Sequence, residues 1–202
     1  DVEQPPVLPA TAASTVEPPH RDRIVDLDVV LDPGLAGELE DEHLPGPAHV
    51  LALTFALRRN LLAYVADVRA GRWGKVNQFC FFDHPIHDVA GSTLGVIGYG
   101  AIGKSVAKRA EALGMRILPY DVFPQPGLVD LETIYKESDV ITLHTPLTPE
   151  TKNMIGAKEL KMMKRSAILI NTARGGLVDE HALADALKNG IIGGAGFDVL
   201  TK

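Results

Sequence analysis

Gly98-Tyr99-Gly100-Ala101-Ile102-Gly103 stands directly after the apolar run Thr93-Leu94-Gly95-Val96-Ile97 and opens a helix-like stretch over residues 104–113. A second apolar run, residues 116–121, then ends in Asp121, 18 residues after Gly103. The order is strand, glycine turn, helix, strand, acid. It constrains the fold because a dinucleotide pyrophosphate needs backbone to approach it closely. Gly98 tightens the turn, Gly100 leaves out a side chain that blocks phosphates, and Gly103 lets the helix pack on the strand. The helix N-terminus adds unpaired N–H groups and partial positive charge. Asp121 is placed to accept from the adenosine ribose hydroxyls and to repel a 2′-phosphate, and Val122-Phe123 supply no arginine to receive one. The reading is a dinucleotide site with NAD as the cofactor, preferred over NADP.

The 202 residues suffice for one good core, and 46% apolar with 23% charged residues is ordinary for a globular domain. A net charge of −6 argues against nucleic acid or an anionic membrane as partner. Cys80 is the single cysteine, so no intrachain disulfide forms and a reducing, cytoplasmic setting is expected. Neither a membrane span nor a signal peptide is read in the chain. Charge is uneven: residues 1–50 carry a balance of −9 and eight of the 14 prolines, whereas the remainder carries +3. Residues 1–20 read as an extended arm, 24–31 as one short strand and 35–44 as an acidic helical turn. Residues 1–46 have too little apolar surface for an independent domain. Residues 47–202 form the second segment, a cofactor-binding domain with a leading helix.

That leading helix is predicted over residues 47–65, with apolar residues on nearly every face, as in a core or a subunit interface. Trp73 and Phe79-Cys80-Phe81-Phe82 follow in a loop without helical period. Such a loop either folds back on its own core or covers a partner subunit. Beyond the first strand–helix–strand unit, helices are predicted over 131–137, 156–163 and 179–187, and strands over 139–143, 167–171 and 193–199. Continuously apolar strands alternating with helices define an α/β fold, a doubly wound parallel sheet of the Rossmann type with its ligand at the carboxyl ends of the strands. Asp121, His144-Thr145-Pro146, Thr172-Ala173-Arg174 and Asp198 all fall at such ends.

At these residues the chain resembles the D-isomer-specific 2-hydroxyacid dehydrogenases, from about Pro47 onward. The motifs are Gly95-Val96-Ile97-Gly98-Tyr99-Gly100-Ala101-Ile102-Gly103, His144-Thr145-Pro146-Leu147-Thr148-Pro149-Glu150-Thr151, Asn171-Thr172-Ala173-Arg174-Gly175-Gly176 and Gly196-Phe197-Asp198-Val199. Through Phe81-Phe82-Asp83-His84-Pro85 it is most similar to the glycerate dehydrogenase and hydroxypyruvate reductase branch. The resemblance implies that Ala101 and Ile102 meet the pyrophosphate and Asp121 the ribose. It implies that Thr145, Pro146 and Thr151 line the cofactor cleft, with Thr172 and Ala173 near the nicotinamide and Asp198 on its carboxamide. Arg174 is implied as the arginine that grips the substrate carboxylate, a task suited to a planar guanidinium. His144 is implied to shape the cofactor loop rather than to act as an acid. No metal is implied, and homodimerisation through the cofactor domain is.

The family's proton-donating histidine and the glutamate that orients it come after the Phe-Asp-Val strand, at places past Lys202. The family's closing strand and C-terminal helix fall there too, and residues 1–46 do not resemble its substrate domain. Two expectations follow. One is an NAD(H)-dependent oxidoreductase moving hydride between NADH and a small 2-oxo acid such as hydroxypyruvate or glyoxylate, impaired if the chain stops here. The other is an NAD-binding module without redox turnover, acting through binding or interaction. No Ser-His or Cys-His pairing supports hydrolysis, and Cys80 reads as an apolar loop residue.

Overall fold

Strand residues in the centre of the sheet alternate strictly between two cores, which fixes the layers. In the computed structural model, which describes residues 24–26 and 45–201, Val96, Val140, Ile168 and Ile170 face one core. Their neighbours Ile97, Ile141 and Leu169 face the other. A strand buried on both faces must be apolar at successive positions, and this is why the runs at 93–97, 140–143 and 168–171 read as continuous.

The described elements are β1 (Ile24–Asp26), α1 (Pro45–Arg58), α2 (Leu61–Arg69), a short 3₁₀ turn (Trp73–Lys75), β2 (Thr93–Ile97), α3 (Ala101–Ala112), β3 (Arg116–Tyr120), α4 (Leu131–Glu137), β4 (Val140–Leu143), α5 (Ala157–Met162), β5 (Ile168–Asn171), α6 (Glu180–Lys188) and β6 (Gly194–Phe197). All strand pairs are parallel, in the order β1-β6-β5-β4-β2-β3. The sheet grows from β2 outward to β3 and then reverses to β4 on the other side, so the topological switch lies between β2 and β4. α1 and α3 cover one face, and α4, α5 and α6 the other.

Caps mark the helix starts that sequence placed well. Asp130 accepts from the Thr133 N–H and Asp179 from the Ala182 N–H, each satisfying one open donor of a first turn. The helix expected over 47–65 is instead two helices. Asn60, in the left-handed region at φ 48°, turns the chain between α1 and α2. α1 buries Val50, Leu53, Thr54 and Arg58 on one face and exposes Ala48, Ala52 and Phe55 on the other, while α2 has no buried residue. Within this chain the helix expected to be buried on more than one side is therefore buried on one side of its first half alone.

The aromatic stretch divides. Phe81 folds back onto Tyr64 and Trp73, with ring centroids 5.6 Å away in both cases. Phe79 and Phe82 remain 90% and 76% exposed. Residues 24–26 of the expected strand pair with β6, Ile24 opposite Ala195 and Asp26 opposite Phe197. The edge of β6, which the resemblance left without a neighbour, is therefore paired by the N-terminal segment. The expected arm at 1–20 and acidic turn at 35–44 lie outside the described residues.

Candidate functional site

Parallel strands in register end together, and here five of them do. Tyr120, Ile97, Leu143, Asn171 and Phe197 form one row across the sheet. The next residue of each strand is Asp121, Gly98, His144, Thr172 and Asp198, so the expected site residues emerge side by side along the carboxyl edge. Backbone bonds continue the ladder one step beyond the strands. The Gly98 N–H donates to Tyr120 O at 2.9 Å, the His144 N–H to Ile97 O at 2.7 Å and the Asp198 N–H to Asn171 O at 3.3 Å.

The glycine turn lies at the switch point. Gly98 has φ 97°, and a Cβ there would fall 2.6 Å from the His144 carbonyl. Both the backbone conformation and the close approach of the β4 end require glycine. A Cβ on Gly103 would lie 2.1 Å from Gly98 O, so α3 reaches the turn only because that atom is missing. Gly100 differs. Its φ is −80° and a Cβ there meets nothing within 4 Å, so the space above it is open. Ala101 and Ile102, the first residues of α3, are exposed to that same space. The Asp121 carboxylate fixes the rim beside it, with Oδ2 accepting from the Tyr99 N–H at 2.7 Å and Oδ1 from the Phe123 N–H at 3.0 Å.

On the far side of the switch, Thr145 packs near Gly98, and Pro146 is exposed. The Thr151 hydroxyl donates to Pro146 O at 2.7 Å and accepts from the Thr148 N–H at 2.8 Å. Thr151 thus braces the loop from within, and its contribution to the cleft is the shape of that loop. His144 is mostly buried and its Nε2 lies 3.1 Å from Thr142 Oγ1. Burial pushes its pKa down to about 4, so the ring is neutral near pH 7.

Arg174 is presented by a residue to which sequence reasoning gave no role. The buried Asn171 side chain donates to Arg174 O at 2.8 Å and accepts from the Ala173 N–H at 3.1 Å. Asn171 closes the turn on itself, and Thr172 and Ala173 lie half-buried within it. The Arg174 side chain is exposed and its guanidinium bonds to Ala173 O at 2.6 Å. Among the described residues no carboxylate pairs with it, so the fork remains available for an anion. The signal for Asn171 is its position, a polar residue ending an otherwise apolar strand.

Asp198 has a mostly buried side chain and a neighbour that sequence did not single out. His49 of α1 places Nε2 at 3.5 Å from Asp198 Oδ2, with both side chains mostly buried. Asp198 Oδ1 is buried and has no hydrogen-bond partner among the described residues. Burial pushes the Asp198 carboxyl above its ordinary range, and His49 opposes that rise.

Comparison with known proteins identifies the class. Residues 51–202 match the sequence profile of the D-isomer specific 2-hydroxyacid dehydrogenase NAD binding domain, and the chain belongs to that family. The glycerate dehydrogenase of Methylorubrum extorquens is 72% identical over 156 residues, covering 77% of this chain and 50% of the relative. The glyoxylate reductase of Thermococcus litoralis is 48% identical over 163 residues, covering 75% and 48% respectively. Among solved structures, the NAD-complexed D-isomer specific 2-hydroxyacid dehydrogenase of Lactobacillus delbrueckii ssp. bulgaricus superposes with a TM-score of 0.69. It is 39% identical, with 77% of this chain and 48% of that one covered. The chain spans about half the length of these relatives.

The residues present fit the family's cofactor, NAD. The cradle at Gly98, Gly100 and Gly103 admits a pyrophosphate against the open start of α3. Asp198 Oδ1, without a partner among the described residues, would be satisfied by a donor such as a carboxamide N–H.

Proposed function

We propose that this protein acts in hydride transfer between NAD(H) and a small 2-oxo or 2-hydroxy acid, with hydroxypyruvate and glyoxylate as substrates. Residues 47–202 serve as its cofactor-binding domain. The observation that carries this reading is the row Asp121, Gly98, His144, Thr172 and Asp198 along one edge, with the unpaired Arg174 fork beside it. NAD(H), when bound, supplies or accepts the hydride. The chain's own residues do the rest. Gly98, Gly100, Ala101, Ile102 and Gly103 hold the pyrophosphate, and Asp121 accepts from the adenosine ribose. Thr145, Pro146 and Thr151 wall the cleft, and Thr172, Ala173 and Asp198 surround the nicotinamide end. Arg174 grips the substrate carboxylate and holds the neighbouring carbon in line.

The substrate class draws on the names of the relatives, glycerate dehydrogenase and glyoxylate reductase. A homodimer in the cytoplasm belongs to the same reading. Its support is the exposed apolar surface of Leu61, Leu62, Val68, Trp73, Phe79 and Phe82, and the single, unpaired cysteine Cys80. Among the described residues no helix is long and apolar enough to cross a membrane.

A second reading, an NAD-binding module without redox turnover, has one observation in its favour. Of the two histidines at the carboxyl edge, His144 is within hydrogen-bond distance of Thr142 and held neutral by burial, and the mostly buried His49 faces the Asp198 carboxylate at 3.5 Å. Calorimetry with NADH, followed by NADH oxidation with hydroxypyruvate, glyoxylate and pyruvate, separates the two. Binding with turnover supports the first, binding alone the second, and no binding sinks both.

A further inference from the structure

α1 carries His49, Leu53 and Leu57 at four-residue spacing, which puts the three on one stripe of the helix. The stripe runs along β6. A Cβ on Gly196 would lie 3.1 Å from Leu57 Cδ1 and 3.3 Å from Leu53 Cβ, so these two leucines sit directly over that strand. One turn further toward the helix N-terminus, the stripe passes the strand's carboxyl end, and the residue there is His49 facing Asp198. A leucine at this place would extend the apolar contact. A histidine instead brings a ring N–H to a buried carboxylate.

The pair is incomplete as it stands. His49 Nε2 is 3.5 Å from Asp198 Oδ2, beyond a good hydrogen bond, and among the described residues neither His49 Nε2 nor Asp198 Oδ1 has a partner. Buried polar groups are nearly always satisfied, and a pair kept only for structure has no reason to leave two atoms open. A carboxylate has two oxygens, and one ring N–H can occupy only one of them. With His49 beside Oδ2, the carboxylate is held in one orientation, while Oδ1 is enclosed and still without a donor among the described residues.

We propose that His49 is a positioning residue: it holds the Asp198 carboxylate through Oδ2 and thereby fixes that carboxylate as the acceptor for the amide N–H of the nicotinamide carboxamide. This rests on the NAD reading above and adds to it the residue that orients the carboxylate. It also assigns the leading helix a part in the site, through its first turns. Without the histidine, Asp198 is free to rotate, and the carboxamide loses a fixed acceptor.

The test uses three ligands that differ only at the nicotinamide end. These are NAD⁺, its 3-acetylpyridine analogue, which has a methyl group in place of the amide nitrogen, and ADP-ribose, which has no pyridine at all. Calorimetry on the 202-residue chain is expected to show NAD⁺ bound about tenfold more tightly than the analogue, the worth of one good hydrogen bond to a charged acceptor. His49→Phe should bring NAD⁺ and the analogue to equal affinity while ADP-ribose stays within about twofold. His49→Gln, whose side-chain amide supplies an N–H, should restore most of the preference. If the Phe ring is not accommodated, His49→Leu makes the same comparison, and unchanged ADP-ribose binding certifies the fold. A preference that persists in His49→Phe overturns the proposal, as does an equal loss for all three ligands or a failure of Gln to rescue. Failure of the unsubstituted chain to bind either NAD⁺ or ADP-ribose overturns the dinucleotide reading itself, and His49's part with it.

Discussion

Asp121 Oδ2 accepts from the Tyr99 backbone N–H at 2.7 Å, which ties the acid ending β3 to the glycine turn ending β2. The carboxylate that is proposed to read the ribose is thus also a brace of the phosphate turn. A 2′-phosphate brought to this acid would meet a like charge. We expect NAD(H) to bind at least tenfold more tightly than NADP(H). Asp121→Ser should narrow that gap and also weaken NAD(H) itself by about tenfold to a hundredfold, since a charge-assisted bond contributes about 1.5–3 kcal/mol. Calorimetry with both cofactors checks this, and equal affinities in the unsubstituted chain sink the assignment.

Gly100 and Gly103 separate folding from binding. A Cβ at Gly100 enters open space at an ordinary φ of −80°, so Gly100→Ala should leave the melting temperature unchanged. The same methyl stands where a pyrophosphate must come close, so NAD affinity should fall by tenfold or more. Gly103→Ala puts a Cβ 2.1 Å from Gly98 O and must push α3 off the turn. It should lower both stability and binding. Thermal melts beside calorimetry read the two effects, and a Gly100→Ala protein that binds normally removes the phosphate from that position.

These two glycines show what was legible in the sequence. The turn, the strands and the order of elements were readable because each depends on neighbours within about 30 residues and on apolar runs that only a doubly covered sheet explains. The break at Asn60 was not, because Leu61, Leu62 and Val65 carry the apolar pattern straight through a left-handed residue. His49 was hidden for a different reason. Its meaning arises only when α1 crosses β6, a contact between distant parts of the chain. Thr151 was legible as a member of its motif, yet the direction of its hydroxyl, inward to Pro146 O, was not.

His144 gives a pH dependence with a definite sign. The unfolded chain protonates this ring near pH 6.5, whereas burial holds the folded ring neutral until about pH 4. Between those values the unfolded state binds more protons, so stability falls as pH drops through the window. The loss by pH 4 should be about 2–3 kcal/mol. His144→Asn should show a flatter dependence between pH 6.5 and 4.5, above the range where Asp139 and Asp130, held below their ordinary range, begin to contribute. Urea midpoints at several pH values test this, and identical slopes in the two proteins would count against a buried neutral ring.

Self-association is expected from the α2 region. Leu61, Leu62 and Val68 are exposed on α2, and Phe79 and Phe82 stand out from the loop that follows. Large contiguous apolar patches are rare on monomers, and this many exposed apolar side chains within about twenty residues favours a covered surface. Light scattering at micromolar concentration should give a dimer mass. Phe79→Ser with Phe82→Ser should shift it toward monomer without a change in fold, since neither ring is packed inside. A monomer mass for the unsubstituted chain ends this reading.

Catalysis turns on Arg174 and on a proton. Reducing a 2-oxo acid puts hydride on the carbonyl carbon and requires a proton at the oxygen. Arg174 can hold the carboxylate, and among the described residues its guanidinium bonds to Ala173 O alone, so the fork can turn toward a substrate. No described residue stands ready as the acid, because His144 is neutral and bonded to Thr142 while His49 faces Asp198. General acid catalysis typically contributes about 10²–10⁴-fold. A polypeptide of these 202 residues is therefore expected to bind NADH yet reduce hydroxypyruvate at least a hundredfold more slowly than a full-length relative. Arg174→Ala should abolish the residual rate while changing the NADH dissociation constant by less than about twofold, because the arginine meets the substrate and not the cofactor. Stopped-flow oxidation of NADH alongside calorimetry measures both quantities. A rate equal to that of a complete enzyme would show that a proton donor exists within these residues, with His49 the first to substitute. A large loss of NADH affinity in Arg174→Ala would instead move the arginine from the substrate to the cofactor.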